Sequence, residues 1–263
     1  MDVLAQLEPQ SVFRFFEQMC AIPHGSGNTK AVSYWCADFA RARSLEYHQD
    51  ADNNIIIIKE ATSGYEQAEP LILQGHLDMV CEKEPGCTKD MEKEGLDLEV
   101  DGDWVRANGT TLGGDDGIAV AMALAVLDAD DIAHPRVEAV FTTDEETGLL
   151  GAASIDVSPL KGHRMINMDS EAEGVFTVSC AGGNTTTCTL PLRREAFSGC
   201  ALRITVGGLT GGHSGAEIDK GRANANMLMG RVLQAAAART ELRIVSVSGG
   251  LKNNAIPVES VAC

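Results

Sequence analysis

The sequence predicts an α/β sandwich followed by the start of a second, smaller domain. Two observations carry this. From Ser11 to Ser170, apolar runs of strand length alternate with stretches of helical spacing. Beyond Cys180-Ala181-Gly182-Gly183 the texture changes to a strand, a Gly-rich loop, a helix and another strand. We place the boundary between residues 184 and 185. With 263 residues and a 44% apolar share, the chain can bury a substantial core.

The elements follow in order. Val12, Phe15, Phe16 and Met19 recur at helical spacing, which predicts a helix over 11–21 that Pro23 ends. His24-Gly25-Ser26-Gly27-Asn28-Thr29-Lys30 is glycine-rich like a phosphate loop. It lacks the Walker spacing and a preceding strand, so a connection between helices is expected. Val32, Trp35 and Phe39 mark one face of a second helix over 30–43. Four isoleucines at 55–58 read as a fully buried strand. The run from Leu71 reads as another, ending in Gly75-His76-Leu77-Asp78. Residues 99–105 read as a hairpin turning at Asp-Gly. Gly113-Gly114-Asp115-Asp116-Gly117 opens a helix over 118–127 that is apolar nearly all round and should be buried. Strands over 137–142 and 165–170 end near Glu145-Glu146 and at Asp169. In the second part we expect a strand over 202–206, a helix over 223–239 and a strand over 242–247.

The polar residues at these strand ends form a pattern. On a strand, side chains two apart share a face, so His76 and Asp78 project together, and the carboxylate can orient the ring for a metal. With Asp115, Glu145, Glu146 and Asp169 they make five carboxylates around one imidazole. Such a group repels itself without a cation. Its donors suit zinc, manganese or cobalt. Asp115, at a helix start where backbone N–H groups favour an anion, is a candidate to bridge two ions. A hydrolytic site needs one carboxylate on the metal and one free to take a proton, and adjacent Glu145 and Glu146 can divide those tasks. Any one of these carboxylates alone reads as surface charge; the joint pattern carries the argument.

A net charge of -17 argues against nucleic-acid and anionic-membrane partners. Eight scattered cysteines with no Cys-x-x-Cys pair point to reduced thiols, and the start of the chain has no basic region or apolar signal core. A cytoplasmic location is expected. Ile118–Leu127 is too short an apolar run to cross a bilayer.

With these residues in view, the chain resembles the M20 metallopeptidases, and within them the aminoacyl-histidine dipeptidases. The matching stretches are Ile22-Pro23-His24, Gly75 to Val80, Gly109 to Gly117, Glu145 to Gly148, Asn167 to Glu171, Cys180 to Gly183, Gly211 to Gly215 and Asn254 to Pro257. The resemblance implies a zinc-peptidase-like catalytic domain, a mixed sheet between helices, with an inserted α+β lid. It implies two divalent ions, zinc foremost. His76 and Asp169 would hold one, Glu146 the second, and Asp115 would bridge them. Asp78 would orient His76, Glu145 would be the general base, and His213 from the lid would stabilise the oxyanion. The substrate would be an Xaa-His dipeptide, and the lid can serve a homodimer. The family takes a further histidine ligand, and its grip on the substrate carboxylate, from sequence near the C-terminus that is not among these residues. We therefore expect an N-terminal part of such an enzyme, binding one metal weakly and nearly inactive by itself. A metal- or peptide-binding role without catalysis stays open. A serine hydrolase does not fit, because Gly212-His213-Ser214-Gly215 is not the Gly-x-Ser-x-Gly elbow.

Overall fold

A computed structural model describes every residue except Met1, Asp2, Glu171, Cys180, Ala181, Gly183, Asn184, Thr185, Ala216 and Asn253. The chain divides into two compact units, Met1–Ser179 and Cys180–Cys263. The boundary expected at 184/185 falls outside the described residues.

In the first unit the elements are α1 (Gln10–Cys20), α2 (Lys30–Ala42), β1 (Glu46–Gln49), β2 (Ile55–Lys59), β3 (Leu71–His76), β4 (Leu98–Asp101), β5 (Trp104–Ala107), α3 (Gly114–Asp128), β6 (Val137–Thr142), α4 (Leu150–Ser154) and β7 (Arg164–Asn167). Five strands form a mixed sheet in the order β1-β2-β6-β3-β7. β1 and β2 are antiparallel, as are β2 and β6, while β3 runs parallel to both β6 and β7. β3, β6 and β7 therefore end at one edge. β4 and β5 make a separate hairpin, turning at Gly102 with φ 60°.

The isoleucine run explains itself in this sheet. Ile55 and Ile57 face the main core with α1, α2 and α3, while Ile56 and Ile58 face a second cluster with Ile72 and Val140. Both faces are covered, so the strand shows no polar alternation. α3 packs between α1 and β3, which accounts for its apolar residues nearly all round. Glu138 in β6 is fully buried. It accepts hydrogen bonds from Arg136 Nε at 2.7 Å and from the backbone of Lys161 and Gly162 at 2.9 and 3.0 Å, fixing the chain just before β7.

The second unit holds β8 (Ile204–Val206), a 3-10 turn (Ile218–Lys220), α5 (Ala225–Ala237), β9 (Val247–Gly249) and β10 (Ser260–Ala262). The strands form an antiparallel sheet in the order β8-β10-β9. The Asn224 side chain caps α5, accepting from the backbone N–H groups of Asn226 and Met227. The strand expected over 242–247 lies later, at β9. Its partner β10 is three residues long and pairs Ala262 with Val247, while Ile244 and Val245 stay exposed. β1, α4 and β10 were not expected from the sequence, being short and without a strong period.

Candidate metal centre

The edge where β3, β6 and β7 end collects the strand-end residues. His76 is the last residue of β3, and Glu145, Glu146 and Asp169 follow β6 and β7 within a few residues. In open α/β sheets this carboxyl edge is where ligands bind. Asp115 comes from the first turn of α3, where it and Asp116 leave helical φ/ψ. One ligand atom each from His76, Asp115 and Glu146 lies within 4.8 Å of the others, and the same holds for His76, Glu145 and Asp169. Donors around a tetrahedral zinc stand roughly 3.5 Å apart. Either group is compact enough to close on an ion, and the imidazole-carboxylate set suits a divalent cation. The two groups share His76 and take one glutamate each.

His76 is almost completely buried. Its Nδ1 hydrogen-bonds the backbone carbonyl of Asp78 at 2.9 Å, and the Asp78 carboxylate stands 3.4 Å away. That contact directs Nε2 at the carboxylates, with Asp115 Oδ1 at 3.0 Å. Burial alone would pull the ring's pKa down. The hydrogen bond and charge of Asp78 outweigh it, aided by Asp116 and Asp115, and push it up to about 10. The carboxylates show the opposite strain. Burial, with Asp169 and Asp115 nearby, pushes Asp116 up to about 7 against the pull of His76. Burial and neighbouring acids also raise Glu145 and Glu146. A cation among these groups relieves that repulsion.

Asp78 ties three segments together. Its carboxylate accepts from Ser26 Oγ at 2.7 Å and from the backbone N–H groups of Glu145 and Glu146 at 3.0 and 3.4 Å. Burial works to raise its pKa, but the hydrogen bond to the His76 ring, followed by those from Ser26 and the Glu145 N–H, holds it below the usual range. The 24–30 segment joins α1 to α2, as its lack of the Walker spacing predicts, but it also straps the site. Gly25 bridges Met79, the Met79 N–H donates to the His24 carbonyl, and the Gly27 N–H donates to Asp144 Oδ1 at 2.6 Å. Ser26 and Asp144 are thus supporting residues that the sequence did not single out. Asp116 is another: it is buried, and its Oδ2 accepts from the His76 N–H at 3.3 Å. Its signal in the sequence is the doubled aspartate of a Gly-rich turn.

Two glycines are required by close approach. A Cβ on Gly75 would stand 2.7 Å from Asp116 Oδ2, and one on Gly113, at φ 68°, would stand 2.7 Å from Met79 Sδ.

His213 belongs to the second unit. It forms a bridge with Ala255, and its Nδ1 accepts from the Gly215 N–H at 3.1 Å. His24, His48, His134 and His163 take no part in either ligand group.

Residues 204–262 match the peptidase dimerisation domain of the M20 type. Over 264 aligned residues the chain is 40% identical to the cytosol non-specific dipeptidase of Escherichia coli K12, covering 100% of this chain and 54% of that protein. The structure resembles the aminoacylhistidine dipeptidase of Vibrio alginolyticus with a TM-score of 0.77 and 37% identity, over 98% of this chain and 53% of that one. A tripeptidase of Staphylococcus aureus shares the fold at a TM-score of 0.55 and 16% identity, over 97% of this chain and 65% of that one. The chain spans about half the length of the dipeptidases it matches. Residues 204–262 thus carry a peptidase dimerisation domain of the M20 type, and over its whole length the chain is similar to these dipeptidases in sequence and fold.

Proposed function

We propose that the protein is a metal-dependent dipeptidase acting on Xaa-His-type dipeptides. The convergence of His76, Asp115, Glu145, Glu146 and Asp169 at one sheet edge carries this reading, in a chain 40% identical to a named dipeptidase. His76 and Asp169 would hold one divalent ion and Glu146 a second, with Asp115 between them. Zinc fits best, with cobalt or manganese as alternatives. When bound, such ions supply Lewis-acid polarisation of the scissile carbonyl and activation of a water.

The chain's own residues do the rest. Glu145 takes a proton from the attacking water and delivers it to the amine nitrogen as the C–N bond breaks. Its raised pKa, from burial and neighbouring acids, moves it toward the range a base needs near neutrality. Asp78 holds the Glu145 backbone through its N–H and fixes the His76 ring. His213 donates a hydrogen bond to the developing oxyanion, in its own protomer or in a partner's. Residues 204–262 serve a homodimer, and the protein works in the cytoplasm, with no nucleic-acid or membrane partner. Among the described residues, no helix is long and apolar enough to cross a membrane.

The test is Glu145→Gln in the zinc-loaded protein, assayed by release of free histidine from an Xaa-His dipeptide. We expect metal content to be kept and turnover to fall by about 10²–10⁴-fold. Unchanged turnover would remove Glu145 as the base.

A further inference from the structure

The Gly211–Gly215 loop is held by more than its own backbone. Arg222 Nη1 donates to the Gly211 carbonyl at 2.6 Å and to Glu217 Oε2 at 3.0 Å, and Arg222 Nη2 donates to Glu217 Oε1 at 2.9 Å. Glu217 Oε2 in turn accepts from the His213 N–H at 3.1 Å. One bidentate ion pair therefore fixes the backbone on both sides of Gly212. A Cβ on Gly212, at φ 139°, would fall on the Arg222 guanidinium and the Glu217 carboxylate, so the pair can approach this closely only against glycine. Across the loop, Ser214 N–H donates to the Asn254 carbonyl and Ile256 N–H to the Gly212 carbonyl.

The ring is fixed as well. The Gly215 N–H donates to His213 Nδ1, so Nδ1 is an acceptor and the proton of the neutral imidazole sits on Nε2. A Cβ on Gly215 would press on the ring at 3.2 Å from Cε1, which gives this glycine its reason. The depressed Glu217 carboxyl, at about 2 through Lys220, the His213 N–H and Arg222, keeps the clamp charged at neutral pH.

We propose that Glu217 and Arg222 are positioning residues that hold His213 as a neutral Nε2–H donor. The proposal rests on the reading of His213 as the oxyanion donor. Neither residue touches the reacting atoms; they set the loop, and the loop sets the ring.

The experiment uses the purified chain with ¹⁵N-labelled histidine. Long-range ¹H–¹⁵N correlation reads which ring nitrogen carries the proton, and His213→Gln assigns the signal. The wild-type chain should show the His213 proton on Nε2. Glu217→Gln and Arg222→Lys keep size or charge but lose the fork, and each should turn that single pattern into an average of both tautomers. Lys220→Ala removes the other cation on Glu217 without touching the loop, and should leave the pattern as in the wild type. In the zinc-loaded protein, Arg222→Lys should lower kcat by about tenfold or more with KM kept, as for loss of transition-state hydrogen bonding. A wild-type proton on Nδ1, or an unchanged pattern in both fork variants, would overturn the clamp. A fully active His213→Gln protein would overturn the oxyanion role instead, and the two failures are read separately.

Discussion

One carboxylate at Asp78 serves four neighbours: Ser26, His76 and the backbone of Glu145 and Glu146. Removing the Ser26 hydroxyl takes one charge-assisted hydrogen bond from a buried anion, so Ser26→Ala should cost about 1.5–3 kcal/mol in urea unfolding. An unchanged midpoint would show that Ser26 is incidental. The pH sign at His76 follows from its raised pKa. In the metal-free chain its contribution to stability is fully present below 6.5 and is lost as pH rises through about 10. A divalent ion competes with that proton, so zinc affinity measured by calorimetry should rise between about pH 6 and about pH 8, with proton release. Affinity that is flat or falls over this window would exclude Nε2 as a ligand. Much at this scale was legible in the sequence: His76, Asp115, Glu145, Glu146 and Asp169 all end strands or open a helix, and the fold brings them together. Ser26, Asp144 and Asp116 were not legible. Their role comes from a loop crossing the end of β3, a contact no local pattern encodes.

At the scale of elements, β2 is enclosed on both faces. Ile57→Ala leaves a cavity between the sheet and the helices, and should cost about 2–5 kcal/mol with the urea slope unchanged. The four-isoleucine run announced this strand because both its faces are covered. The helices α1 and α2 were equally plain from their apolar spacing, α3 from its apolar run, and β3 and β6 from apolar runs of strand length. The short pieces were not. β9 is defined by its pairing with β10, and a three-residue strand carries too little pattern to announce its register. In the second unit Glu217 is held at about 2, so its contribution to stability is present above 4.5 and is lost as pH falls toward 2. The 211–222 loop should therefore lose its ordered amide resonances in that acid window, and a loop unchanged there would leave the clamp without weight.

At the scale of the molecule, both units carry exposed apolar surface. The first buries an apolar core on both sides of the sheet but leaves Trp104, Met165 and Phe176 exposed. The second leaves large apolar side chains exposed, among them Leu190, Leu192, Leu202 and Leu251. Exposed apolar surface of this extent drives association. With residues 204–262 matching a dimerisation domain, sedimentation velocity should show concentration-dependent self-association. A monodisperse monomer across the concentration range would contradict it.

The central claim is that the edge where β3, β6 and β7 end is a metal centre. It is tested most directly by titrating zinc into the metal-stripped chain and into His76→Ala. The wild-type chain should bind zinc saturably, and the variant should bind at least about tenfold more weakly. Binding that does not saturate, or that is the same in both chains, would contradict it.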